Sequence, residues 1–264
     1  MRALVRKRLG QALTVVSALA MVSAFVVPLP YVIVKPGPTF NVLGEVDGKE
    51  VIEISGGEGE SSVGVLDLTT VSTYGSPGET PSLLSLLEAY ISTDQIILPL
   101  DSVYPLGKTT EETDAEQKQN FQDAETSAVK AALRELGSTA DATSIKFNLD
   151  DIGGPSGGLI FALGVIDKLT PGQLTGGKAI AGTGTIEADG TVGEIGGIRM
   201  KMTGALLAGD WYFLAPRSNC RDIVGFEPEG LTVIPVDDLH GALEVLKVIA
   251  ADGDLSRFPA CTLK

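Results

Sequence analysis

Asp151-Ile152-Gly153-Gly154-Pro155-Ser156-Gly157-Gly158-Leu159 and Gly196-Gly197-Ile198-Arg199-Met200-Lys201, whose lysine follows Ser156 by 45 positions, are the two stretches on which the fold turns. Glycines ahead of a serine let the backbone bend freely. They also bring N–H groups close to a substrate carbonyl, as an oxyanion hole requires. After Ser156 the apolar residues Leu159, Phe161, Ala162, Leu163, Val165, Ile166 and Leu169 recur at helical spacing. The serine is therefore expected where a glycine-rich loop enters a helix.

A serine hydroxyl is a poor nucleophile until a neighbour takes its proton, and the usual neighbour is histidine. The chain has one, His240. Lysine can replace it where burial disfavours the ammonium form. Lys201 has suitably apolar company in Ile195, Ile198, Met200 and Met202, and Ala205-Leu206-Leu207-Ala208 continue a helix whose first turn carries it. Taken singly, each stretch has an ordinary reading: an N-capped turn for the serine run and a solvated helix lysine for the other.

Taken together, they resemble the proteolytic domain of Lon-type serine proteases. The nucleophile motif of that family, Asp/Gly-Gly-Pro-Ser-Ala-Gly, maps onto Gly153 to Gly158, and its Gly-Gly-aliphatic-Lys-Glu-Lys block onto Gly196 to Lys201. Between them Ala181-Gly182-Thr183-Gly184-Thr185-Ile186 is similar to the Met-Thr-Gly-Glu segment, and Val192-Gly193-Glu194-Ile195 leads into the lysine block. The likeness runs from about Ile145 to Ile249. It implies an α/β (α+β) fold, a Ser156–Lys201 dyad, Thr183 as support for the lysine, and an oxyanion site on the loop of Gly153, Gly154, Pro155 and Gly157. It implies no cofactor and no metal. Three departures stand out: Gly157 for alanine, Gly153 where many members carry aspartate, and Arg199-Met200 for Lys-Glu.

Gly154-Pro155-Ser156-Gly157-Gly158 also satisfies the Gly-x-Ser-x-Gly elbow of α/β-hydrolases, with His240 downstream. The many βα units of that fold do not fit around Ser156.

Arg2, Arg6, Lys7 and Arg8 make residues 1–8 basic, and Leu9 to Val34 carry no charge. That run exceeds the ~20 residues that span a hydrocarbon core, so residues 9–34 are expected to be a transmembrane anchor. The positive flank predicts a cytoplasmic N-terminus and an extracytoplasmic catalytic part at the cell membrane. A cleaved signal peptide is the alternative, with small-residue sites at Ala18-Leu19-Ala20 and Val22-Ser23-Ala24. Lys35-Pro36-Gly37-Pro38 is expected to end the helix. Cys220 and Cys261 are the only cysteines and form no CxxC. Zinc is disfavoured, and a disulfide between them or two free thiols stay open. With 44% hydrophobic and 20% charged residues the composition is that of a folded protein, and the net charge of −14 argues against a nucleic-acid partner.

Val51-Ile52-Glu53-Ile54 and Gly64-Val65-Leu66-Asp67-Leu68 alternate like strands, and Gly56-Gly57-Glu58-Gly59-Glu60 predicts a ribbon joining them. Leu83 to Ile91 reads as a helix capped by Ser82 or Thr80, Thr109 to Asn120 as an exposed acidic stretch, and Gln122 to Leu136 as a helix stopped by Gly137. Ser144 to Leu149 reads as a strand. Residues 35–143 are thus expected to form the first part of the protease region, and 144–264 the catalytic core and tail.

Membrane-anchored Lon-like proteases of bacteria resemble the chain end to end, but most carry a PDZ domain between that helix and that strand. Only Gly137 to Thr143 lie there. The resemblance implies an ATP-independent serine endopeptidase acting on exposed or unfolded polypeptide, and a hexameric ring of copies. A catalytically idle scaffold or folding partner at the membrane is the competing reading.

Overall fold

The structure, a computed structural model, describes residues 11, 14–17, 29–55, 63–138, 144–149, 152–171 and 173–263. Twelve strands are defined among these residues. The first six are β1 (Tyr31–Asn41), β2 (Glu45–Val46), β3 (Lys49–Glu50), β4 (Ile52–Ile54), β5 (Val65–Tyr74) and β6 (Ile96–Pro99). After them come β7 (Ile145–Phe147), β8 (Ala179–Gly182), β9 (Thr185–Ile186), β10 (Val192–Gly193), β11 (Tyr212–Pro216) and β12 (Thr232–Val236). Residues 11 and 14–17 are helical, and the α-helices with defined ends are α1 (Leu83–Ile91), α2 (Thr110–Glu135), α3 (Gly158–Leu169), α4 (Ile198–Ala208), α5 (Cys220–Ile223) and α6 (Leu239–Ala250). The chain divides into a smaller unit of residues 1–35 with 73–110, and a larger unit of 36–72 with 111–264.

In the smaller unit the β-branched run Val32-Ile33-Val34 pairs antiparallel with β6, from Tyr31 opposite Pro99 to Val34 opposite Ile96. Helix α1 buries Leu86 and Ala89 beside Ile33, and the Ser82 hydroxyl caps it by accepting from the Ser85 N–H. This corrects the expected anchor at its C-terminal end. Residues 32–34 are the buried part of a strand, because β-branched side chains pack well on a pleated surface. Lys35 to Pro38 continue that strand and end no helix. Both prolines lie beyond the last β6 pair, where a missing N–H removes no ladder bond on that side. Most of residues 9–28 and all of 1–8 lie outside the described residues. Among the described residues no helix is long and apolar enough to cross a membrane.

The larger unit is built on the parallel strands β12-β11-β8-β5. Strand side chains alternate between faces, and here each face has its own core. Ile180, Leu214, Ile234, Leu66 and Leu68 pack with α3 and α6, whereas Ala181, Phe213 and Ala215 pack with Ile198, Met202 and Ala205 of α4 and Ile223 of α5. Helix α3 is buried from Gly158 to Asp167, as a helix apolar on all sides must be.

One further expectation is corrected. β4 pairs with β7, Ile52 opposite Phe147, and β5 pairs with β8, Val65 opposite Ala179, so they form no ribbon with each other. Each strand pairs with a segment distant in sequence, and Leu66 and Leu68 lie in the core. The expected turn at 56–60 lies outside the described residues. The acidic stretch Thr109 to Asn120 is mostly exposed, as expected, apart from the buried Thr113, and from Thr110 it forms the first half of α2, which Thr113 and Phe121 hold on one face.

Candidate active site

Ser156 stands just ahead of α3, in a loop that two neighbours hold. On one side Gly154, at φ +87°, donates its N–H to the Gln117 carbonyl of α2 at 2.8 Å. A Cβ on Gly154 would lie 3.0 Å from Gln117 Oε1, and one on Gly153 2.9 Å from Gln117 Cβ. Glycine is needed at 154 both for the left-handed backbone and for this approach.

On the other side is the turn after β8. The Ser156 carbonyl accepts the Gly184 N–H at 2.8 Å and the Thr183 hydroxyl at 2.9 Å, while the Leu159 N–H donates to the Gly184 carbonyl at 3.0 Å. Thr183 is anchored in turn by its N–H to the Leu214 carbonyl of β11 at 3.1 Å. The site thus forms at the carboxyl end of the parallel strands, where sheets of this type leave a crevice.

Lys201 arrives from α4, on the opposite face of the sheet. Its Nζ lies 2.6 Å from Ser156 Oγ and 3.0 Å from Thr183 Oγ1. Lys201 is 2% exposed and Thr183 fully buried, and Lys201 makes no ion pair among the described residues. With no carboxylate to balance it, burial brings the lysine pKa down from 10.5 to about 7. A good fraction of neutral amine is then available at neutral pH.

The loop's N–H groups divide into two sets. Gly154 is committed to Gln117 and Pro155 has no N–H. Among the described residues, the N–H groups of Gly153, Ser156 and Gly157 have no acceptor. The expectation that the whole loop offers oxyanion donors is therefore narrowed to those three.

The structure also brings in residues that sequence reasoning missed. The buried Asn219 clamps Ile195 in both directions, accepting its N–H at 3.0 Å and donating to its carbonyl at 2.9 Å, which fixes the approach to α4. Cys220, the next residue, is bonded to Cys261. A polar side chain that imitates a strand partner leaves no periodic trace in a sequence. Gln117 acts through its carbonyl, for which residue type gives no signal. His240 lies elsewhere: its Nδ1 is 2.7 Å from Glu135 Oε1 on the surface. The elbow reading loses its base, since Ser156 meets Lys201 instead. No metal-binding cluster occurs among the described residues.

Residues 150–249 match the Lon protease (S16) C-terminal proteolytic domain. "Lon protease 2" of Herpetosiphon aurantiacus is 36% identical over 107 residues, which are 39% of this chain and 12% of that protein. The chain thus covers about an eighth of the length of that relative. The mixed α/β fold is consistent with a Lon proteolytic domain, and the matches support a Lon-like serine peptidase.

Proposed function

We propose that the chain is an ATP-independent serine endopeptidase in which Ser156 is the nucleophile and Lys201 the general base. The observation that carries this reading is the 2.6 Å contact between the serine oxygen and a buried amine with no counter-ion. The neutral amine accepts the Ser156 proton as Oγ adds to a peptide carbonyl, and returns it to the leaving amine as the C–N bond breaks. Water then adds to the acyl-serine and gives its proton to Lys201. Release of the carboxylic acid restores the serine. Thr183 positions the amine by accepting one of its hydrogens while its own hydroxyl holds the Ser156 carbonyl. The N–H groups of Ser156 and Gly157 are the nearest oxyanion donors in the sequence. No step draws on a nucleotide or a metal.

Flexible or unfolded polypeptide is the proposed substrate. Anchoring at the cell membrane, with the catalytic part outside, is proposed from the uncharged run Leu9 to Pro28 behind a basic flank. The Cys220–Cys261 bond supports an oxidising compartment. With α2 and β7 nearly consecutive in sequence, no PDZ domain separates them, and substrate selection falls to the cleft. Ring assembly is an expectation of the Lon likeness, and molar mass in solution reads it.

The test is hydrolysis of an unfolded protein, and labelling by an active-site serine probe, by the unaltered chain and by Ser156→Ala and Lys201→Met. Each variant should lose at least about a thousandfold of activity. Labelling that persists in both variants would sink the dyad and favour the scaffold reading.

A further inference from the structure

A cavity of about 630 Å³ opens beside the nucleophile loop. Gly153, three residues before Ser156, forms part of its wall, and so does Gln117, whose carbonyl holds the next residue of the loop. Ile152 and Gly153 are thus shared between the cavity wall and the segment that leads into Ser156. The floor is apolar: Phe121 and Leu149 are buried, and Phe147 and Ile152 complete it.

Glu125 of α2 reaches this cavity half-buried, with no hydrogen-bond or ion-pair partner among the described residues. Two other charged side chains line the cavity, Asp114 and Lys118, and both are exposed. They lie one helical turn apart on the same face of α2, so their charges offset each other at the rim. One carboxylate is left without a counter-charge next to apolar surface. Burial alone raises its pKa from 4.5 to about 7, the behaviour of an acid that lacks its cation.

We propose that this cavity is a substrate subsite for a long cationic side chain, lysine or arginine, whose methylenes lie on the phenylalanine floor and whose charge meets Glu125. Such side chains bury their stems and keep their charged ends on polar partners. A neutral aliphatic side chain would fill the floor but leave Glu125 unpaired, so the preference depends on the charge. Glu125 is then specificity-determining for the peptidase proposed above, and the inference rests on that reading for its biological meaning.

The experiment uses decapeptides of alanine, glycine and serine that carry a single arginine, stepped through the positions, against the same peptides with citrulline, which has nearly the same shape and no charge. Binding is measured at pH 8 on the Ser156→Ala chain, which cannot turn the peptides over. At one or two adjacent positions arginine should bind about fivefold or more tighter than citrulline. Glu125→Gln should bring that ratio to near one, and Glu125→Asp should keep part of it. Gln122→Lys, a change at an exposed position of the same wall, should also lower the ratio and guards against misfolding of the Glu125 variants. A ratio below two at every position, or one that Glu125→Gln leaves unchanged, overturns the proposal. Cleavage of the same peptides by the unaltered chain separates the two readings. Cleavage without an arginine preference removes the subsite and keeps the peptidase, whereas selective binding without cleavage removes the peptidase and keeps the subsite.

Discussion

Lys201 must be neutral to take a proton, so activity is expected to follow its titration. Its folded pKa of about 7 lies far below the ordinary 10.5. kcat/KM should therefore rise from pH 5.5, pass an inflection near 7, and level off above 8. Lys201→Arg should be inactive throughout, because a guanidinium keeps its proton. A pH profile flat across this range would exclude Lys201 as the base. Gly157, where the Lon-type motif has alanine, has a packing reason that the sequence hides. A Cβ there would lie 2.9 Å from Leu68 Cδ1 and 3.0 Å from Phe161 Cε2, both in buried side chains. Gly157→Ala should cost about 1–2 kcal/mol and lower kcat/KM by shifting Ser156, as thermal melts and peptide hydrolysis would read. That Ser156, Thr183 and Lys201 belong together was legible because each sits in a local motif. The reason for Gly157 was not, since Leu68 comes from a strand far away in sequence.

Among the elements, helices α1, α3 and α4 could be read from periodicity and caps, because helical contacts are local. The strand partners could not, since β4 and β5 pair with segments about a hundred residues away. The first half of α2 escaped for another reason: few of its residues are apolar, and the helix face they mark is narrow. The seam between strand β5 and the end of α4 carries an electrostatic cost. Asp67, on the opposite side of β5 from Leu66 and Leu68, and Asp210, just after α4, are both buried, and neither oxygen of Asp210 has a hydrogen-bond partner. Burial raises Asp67 to about 6. Burial together with the charge of Asp67 raises Asp210 to about 7. Both values exceed the unfolded 3.8, so the folded state holds these protons more tightly. That stability is fully present below about pH 4 and is lost as pH climbs through 6 and 7. From these two groups alone, Tm should fall by roughly 5 °C between pH 5 and 8, and Asp210→Asn should flatten much of that slope. An unchanged slope in the variant would show that other groups set it.

At the scale of the molecule, the sequence indicated the family resemblance and singled out the serine and the lysine that the fold brings into contact, while the joining of the cysteines had to come from the structure. The bond closes a 41-residue separation and ties the C-terminal tail to the layer that carries α4. Chain-entropy reasoning gives it about 4 kcal/mol. The Cys220→Ser, Cys261→Ser double variant should melt at a clearly lower temperature, and should also lose activity below its own Tm as the Asn219 clamp beside Cys220 loosens. A thermal midpoint equal to that of the unaltered chain would show that the bond is dispensable.

The alcohol and the amine reach each other from helices laid on opposite faces of one sheet. A nascent chain, or one half-melted by heat, therefore has no competent pair, because either layer alone holds only half of it. Under the peptidase function proposed above, hydrolytic power would arise only at the last step of assembly, so immature copies could not cut one another.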